Sequence, residues 1–131
     1  MDFVVNIFAL GIPFSVALLL ASLGEMFNQR AGVFNLGCEG IMAMGAFLGM
    51  LVPYSVGQGG PVSGAYNILG LLLAMGIGAL LGLFFGLVVV TFRAPQGIAG
   101  IGLQMFGVGA AGTLFRHFVG GTQSIPGIDR L

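Results

Sequence analysis

Residues 65–91 read AYNILGLLLAMGIGALLGLFFGLVVVT and contain no charged side chain. A helix rises about 1.5 Å per residue, so this stretch is long enough to cross a hydrocarbon core about 30 Å thick. Apolar and polar residues do not alternate along it, which argues against a strand of a membrane barrel. The stretch therefore predicts a transmembrane α-helix.

Uncharged runs elsewhere in the chain predict three more spans. Residues 3–24 and 94–115 each have the length of one span. The long run 40–92 fits two, because a turn rich in Gly, Pro and Ser interrupts it over 53–64. We therefore expect an all-α, polytopic transmembrane helix bundle of four spans near 3–24, 37–53, 65–91 and 97–115, followed by a loop over 118–128.

The composition agrees with a membrane location. Charged residues make up 6% of the 131 residues, and four Arg balance four acidic residues. A soluble domain carries about 25% charged residues, so a water-soluble globule is excluded, and the high apolar content excludes disorder. Four scattered Arg form no basic patch, so we expect membrane lipid and no nucleic acid as a partner.

The sequence offers little for enzyme chemistry. It has no phosphate-binding loop of the ATPase type, and one His and one Cys cannot form a zinc site. Residues 107–112 match the pattern GxGxxG, but they lie inside a predicted span with no preceding strand, so they do not indicate a dinucleotide fold. We expect no cofactor, no metal and no catalytic residue. Cys38 is interpreted as a small packing residue.

Positive charges give a prediction for orientation. Arg30 lies between the first two spans and Arg93 between the last two, whereas the loop between spans two and three is uncharged. The excess of positive charge in cytoplasmic loops then places the first and third loops in the cytoplasm. Arg116 and Arg130, which follow the last span, argue the other way.

The third span carries a stripe of small residues. They recur every fourth position and so share one helix face; they are Gly70, Ala74, Gly78, Gly82 and Gly86. Small residues let helix backbones approach each other in lipid, so the stripe predicts a helix–helix contact. Lining of a solute path is the alternative.

The second span poses a length problem. The apolar stretch ahead of Pro53, Ile41–Val52, has only 12 residues, which make about 18 Å of helix. If the helix extends backward, it takes Glu39 into the membrane and places Asn35 on the same face. If it extends forward, it uses the Gly/Pro turn. The alternative for these residues is an interfacial helix start with Asn35 as N-cap and Glu39 in the first turn.

Two stretches of sequence resemble a known family. Residues 30–47, RAGVFNLGCEGIMAMGAF, follow Glu25 and resemble a signature of ABC importer permeases of the branched-chain amino acid/ribose type. The resemblance is closest to the simple-sugar and nucleoside subgroup that works with basic membrane lipoproteins. Residues 91–104, TFRAPQGIAGIGLQ, resemble a later stretch of that subgroup, with Pro95 and Gln104 where the subgroup commonly has Asn.

The resemblance implies a function. It implies a multi-pass permease subunit of an ABC importer that moves a nucleoside or simple sugar across the bacterial inner membrane. Its partners would be a second permease subunit, ATP-binding subunits that hydrolyse ATP, and an extracytoplasmic solute-binding lipoprotein. Permeases of this family are considerably longer, so residues 1–131 are expected to be an N-terminal part of the transmembrane domain, as a fragment or a truncated product.

Polar groups within apolar spans are the candidates for the solute pathway. They are Asn35, Glu39, Gln104 and Asn6. Glu25 and Arg30 are expected at the interface or facing a partner. The alternative functions are a non-transporting membrane scaffold or assembly subunit and an inactive permease fragment. A small secondary carrier would need an inverted repeat, which the two halves do not show.

Overall fold

The computed structural model describes residues 2–57 and 64–120, and all regular structure within them is helical. Helix α1 covers Asp2–Arg30, α2 covers Cys38–Gly57, α3 covers Gly64–Gly86 and α4 covers Gln96–Val119. α3 continues into a π-helical turn, Leu87–Thr91. Each of these helices is long and apolar enough to cross a membrane, which confirms the predicted all-α transmembrane bundle.

Helices α1 and α4 continue past their predicted ends into polar residues. α1 was predicted to end near residue 24 but continues to Arg30, and Asn28 and Gln29 both donate side-chain hydrogen bonds to the Glu25 carboxylate, one turn earlier. α4 was predicted to end near 115 but continues to Val119, with basic residues in its last turn, where they are favourable. Charged residues mark the end of an apolar run, but the backbone hydrogen bonds of a helix continue past them.

α2 extends in both directions from Ile41–Val52, and its backward extension includes Glu39 but stops short of Asn35. It begins at Cys38 and continues through Pro53 to Gly57, so residues 53–57 of the predicted turn are helical. Transmembrane helices tolerate an internal Pro because neighbouring groups compensate for the lost backbone hydrogen bond. Residues 58–63 of that turn and residues 121–128 of the predicted terminal loop lie outside the described residues.

α2 is the central helix of the bundle. It packs against α3 on one side and α4 on another, whereas α1 contacts it at only a few residues. The buried apolar side chains come from all three of the packed helices and the π-helical turn; they are Met44, Phe47, Leu81, Phe85, Val89, Leu103 and Ala111. The side chains of α1 are almost entirely exposed, which suits a helix whose apolar surface faces lipid or other transmembrane helices.

Candidate functional site

The first residue of α2 lies well below the level at which α4 begins. If Gly40 were replaced by a residue with a Cβ, that atom would meet the backbone of Leu103 and Gln104, so Gly40 lies against these two residues. Gln104 lies eight positions after Gln96, the first residue of α4. At 1.5 Å per residue, Gly40 is about 12 Å deeper than the start of α4, and Cys38, two positions earlier, is about 9 Å deeper.

The contact with α3 also places the start of α2 at depth. A Cβ on Gly78 would lie 3.8 Å from Ile41, which is in the first turn of α2. The helical chain of α3 and its π-helical turn continues from Gly78 for another 13 positions to Thr91. Cys38 lies three positions before Ile41, on the side toward Thr91. α2 therefore begins about ten positions, or roughly 12–15 Å, short of that end.

This depth places non-helical chain below the start of α4. Residues 31–37 have no regular structure, and the helix begins only at Cys38. The last of these residues therefore lie below the level at which α4 begins, as the contact of Gly37 with Gly100 and Leu103 also shows. Hereafter residues 31–37 are called the entry segment.

The entry segment corrects both interpretations of Asn35. This residue precedes the helix, so it shares no helix face with Glu39. It is not the N-cap either, because Gly37 is the residue before Cys38. The Asn35 side-chain oxygen instead accepts a hydrogen bond from the backbone N–H of Gly37 at 2.8 Å, which closes a local turn.

Glu39 and Gln104 form a polar pair at membrane depth. The side-chain amide of Gln104 donates a hydrogen bond to the Glu39 carboxylate at 2.5 Å. α4 has 24 residues and is about 6 Å longer than a 30 Å core. Even if all of that excess preceded Gln104, the pair would lie about 6 Å inside the hydrocarbon.

The pair faces outward from the described helices. Glu39 is exposed, and Gln104 lines a shallow depression of about 500 Å³ together with Met105, Val108 and Gly109. A carboxylate and an amide offer hydrogen-bond acceptors and donors of the kind that hydroxyl groups and amides of a solute can use. The side that carries this pair is called the α4 flank of α2.

Asn35 and Glu25 lie on a different side of α2. The backbone N–H of Asn35 donates a hydrogen bond to the Glu25 carboxylate at 3.0 Å, and Asn35 is 7% exposed. Both residues line an open groove of about 570 Å³ between α1, α2 and α3, together with Cys38. We call this side the α1 flank. Glu25, which was expected at the interface or facing a partner, therefore contacts the entry segment.

Asn6 does not join either polar group. It lies on α1, 19 positions before Glu25, or about 28 Å along the helix axis. Asn6 is exposed, and α1 makes few contacts with the rest of the described chain. The structure thus brings Glu39 and Gln104 together and places Asn35 and Asn6 elsewhere.

The small-residue stripe of α3 is only partly covered. A Cβ on Gly70 would collide with the backbone of Gly49 in α2, and Ala74 also lies against Gly49. Farther along, Gly78 and Gly82 line the open groove, and a Cβ on Gly82 or Gly86 would meet no atom within 4 Å. The stripe is thus a helix contact at one end and an open surface at the other.

Gln96 is a polar residue that the sequence argument did not single out. Its side-chain amide donates to the backbone oxygen of Gly32 at 3.1 Å and accepts from the backbone N–H of Phe34 at 2.8 Å. Its partners lie more than 60 positions away in the sequence, so no local spacing indicates them. Its position at the first residue of a helix, directly after Pro95, was the one local cue.

Comparison with known proteins identifies the family. Residues 7–131 match the family described as branched-chain amino acid transport system / permease component. The chain belongs to this permease family. It is accordingly a multi-pass membrane protein and a transporter component.

Relatives of this permease chain carry transporter names. The guanosine ABC transporter permease protein NupQ of Bacillus subtilis is 37% identical over 116 residues, which are 86% of this chain and 35% of NupQ. The nucleoside ABC transporter permease protein NupC of Lactococcus lactis is 30% identical over 92 residues, 70% of this chain and 28% of NupC. TsgC13 of Haloferax volcanii, provisionally named a glucose ABC transporter permease protein, is 33% identical over 109 residues, 83% of this chain and 31% of TsgC13.

The permease chain is short relative to these proteins. It spans about a third of the length of the curated relatives it matches. No solved structure matches it.

Proposed function

We propose that this chain forms part of the transmembrane permease subunit of an ABC importer, and that the imported solute is a nucleoside or a simple sugar. The observation that carries the proposal is the Glu39–Gln104 pair, which is exposed on a helix surface at membrane depth. The names of the relatives NupQ, NupC and TsgC13 support the class of solute.

The position of Glu39 argues against a lipid-facing role on energetic grounds. An acidic side chain near the centre of a bilayer costs about 2.5–3.5 kcal/mol on insertion scales, so such groups face a bundle interior or an aqueous cavity. In the described helices Glu39 has one side-chain partner, Gln104, and its surface is otherwise open. The α4 flank of α2 is therefore the side we assign to the solute path.

The chemistry of the pair fits the proposed solutes. Ribose and hexose hydroxyls donate hydrogen bonds to a carboxylate and accept them from an amide N–H, and the nucleobase offers further amide-like groups. Hydrogen bonds to a charged acceptor are roughly twice as strong as neutral ones. Gln104 holds the Glu39 carboxylate in place, and Asn35 shapes the turn that leads into α2.

The proposal includes partners. ATP binding and hydrolysis would take place in separate ATP-binding subunits, an extracytoplasmic lipoprotein would deliver the solute, and a second permease subunit would complete the path. The side chains of α1 are largely exposed, which leaves surface for contacts with other transmembrane segments.

Solute uptake by the reconstituted complex tests the proposal. We expect wild-type vesicles that contain ATP to accumulate radiolabelled guanosine or glucose. Glu39→Leu should lower uptake about tenfold or more, because a hydrogen-bonded charge is removed, and Glu39→Gln should retain part of it. Ser55→Ala is the matched control, since Ser55 is exposed near the other end of α2 and bonds only within its own helix.

Two results would contradict the proposal. Uptake by Glu39→Leu at the wild-type rate, with equal amounts of protein in the vesicles, would remove the pair from the path. Failure of the wild-type complex to accumulate either guanosine or glucose would refute the proposed class of solute.

A further inference from the structure

The entry segment is bound on both sides by side chains. Non-helical backbone at membrane depth is tolerated only where protein or water satisfies its N–H and C=O groups. The first residues of the segment remain bonded to α1, with Val33 donating to the backbone oxygen of Asn28. The next two N–H groups, those of Phe34 and Asn35, donate to side-chain oxygens instead of to the backbone of α1.

Two consecutive N–H groups of the entry segment bond to two different helices. Phe34 donates to the side chain of Gln96 on α4 at 2.8 Å, and Asn35 donates to the carboxylate of Glu25 on α1 at 3.0 Å. Successive N–H groups of an extended chain point to opposite sides, so each side needs its own acceptor. The segment is thereby tied to α1 and to α4 at adjacent residues.

We propose that Gln96 and Glu25 are positioning residues, which hold the entry segment between α4 and α1 and thereby fix the depth at which α2 begins. For the consequence on transport, this inference rests on the proposed function, because Glu39 is the second residue of α2.

A glutamine is specifically suited to position 96. Its amide donates to the oxygen of Gly32 and accepts from the N–H of Phe34, as a neighbouring strand would do for an extended chain. Glutamate at this position would lose the donor, and leucine would lose both groups. Asparagine keeps both groups but is shorter by one methylene.

Glu25 acts through its oxygen atom rather than through its charge. Its recorded partners are N–H donors from Asn28, Gln29 and the backbone of Asn35, and all of them are neutral groups. The amide oxygen of a glutamine can accept the bond from Asn35 equally well in geometry. A leucine at position 25 would remove the acceptor.

The single cysteine of the chain provides a probe that does not depend on transport. Cys38 directly follows the entry segment, is half-buried, and lines the groove next to Glu25 and Asn35. Loosening of the segment exposes its thiol, which raises the rate of alkylation by N-ethylmaleimide. The experiment measures this rate in native membranes on the protein as expressed, and a Cys38→Ser variant supplies the background.

The expected result consists of two comparisons. Gln96→Leu should be alkylated about tenfold faster than wild type, because it leaves the Phe34 N–H and the Gly32 oxygen of the entry segment without their partner. Glu25→Leu should be alkylated about tenfold faster than Glu25→Gln, since both variants remove the same charge near the Cys38 thiol and only leucine removes the acceptor of the Asn35 N–H. Ser22→Ala is the control on α1, since Ser22 bonds only to Leu19 of its own helix.

Each outcome decides the inference. It is overturned if Gln96→Leu is alkylated at the wild-type rate, or if Glu25→Gln is alkylated as fast as Glu25→Leu, which would assign Glu25 a role through its charge. Because no solute is present, the result is independent of uptake. The alkylation rates therefore test the positioning role of Gln96 and Glu25, and uptake by the Glu39 variants tests the solute path.

Discussion

The two flanks of α2 use small residues in opposite ways. On the α4 flank, Gly40 and Gly107 let two helix backbones touch, because a Cβ on Gly107 would overlap the backbone atoms of Gly40. On the α1 flank, Gly78 and Gly82 border an open groove, where a Cβ on Gly82 would meet nothing within 4 Å. The same residue type is a structural requirement on one flank and leaves unoccupied space on the other.

The polar groups follow the same division. Glu39 on the α4 flank is bound by a side chain of the neighbouring helix and remains exposed. Glu25 on the α1 flank accepts a backbone N–H of the entry segment. The neighbouring element, rather than the residue type, therefore decides whether an acidic side chain in an apolar helix binds the protein backbone or stays exposed.

The substitution with the largest expected effect on the α4 flank is Gly107→Ala. Its Cβ would collide with three backbone atoms of Gly40, which cannot rotate away as a side chain would. We expect destabilisation of about 3 kcal/mol, measured as a lower melting temperature in detergent. Gly109→Ala is the matched control on α4, because its Cβ would meet no atom within 4 Å. Equal melting temperatures for the two variants would contradict the α2–α4 contact.

The stripe of α3 offers a comparison within a single helix. Gly70→Ala should destabilise by about 2 kcal/mol, because its Cβ would meet the Gly49 carbonyl oxygen, whereas Gly82→Ala should be neutral or stabilising. Denaturation in detergent checks both variants. If Gly82→Ala were as damaging as Gly70→Ala, the groove would be closed in the protein and the two ends of the stripe would be equivalent.

The polar pair of the α4 flank should behave as a unit. Gln104→Leu and Glu39→Leu should each destabilise by about 1 kcal/mol, because each removes a hydrogen-bonded partner, and the double variant should cost less than their sum. A double-mutant cycle of unfolding free energies measures this coupling. Strict additivity would mean that the two side chains do not interact.

The smallest expected effect concerns the connection that leads into α4. Arg93 has a φ of 53°, a left-handed conformation that is strained for residues other than glycine. Arg93→Gly should therefore stabilise by roughly 0.5–1 kcal/mol, measured as a higher melting temperature. Phe92→Gly is the contrasting change and should not stabilise, since Phe92 itself has an ordinary φ of −86°. A loss of stability in Arg93→Gly would indicate that its side chain makes a contact that outweighs the strain.

The sequence alone was sufficient for the helical class and for the number of spans. The length of an uncharged run is set by the thickness of the hydrocarbon core. This thickness is a property of the lipid and does not depend on which helices pack against the span. For this reason the span predicted over 65–91 agrees closely with Gly64–Thr91. The ends of α1 and α4 were predicted too early, because their last turns carry polar residues that a composition argument assigns to loops.

Only the tertiary structure decided how the polar residues are grouped. Asn35 and Glu39 are four positions apart, yet they lie on different flanks because the helix begins between them, at Cys38. Glu39 meets Gln104, and Gln96 meets the entry segment, across more than 60 positions of sequence. Periodicity describes the faces of one helix, whereas such contacts depend on the depth at which two helices cross, and that depth is set by the close approach of their backbones.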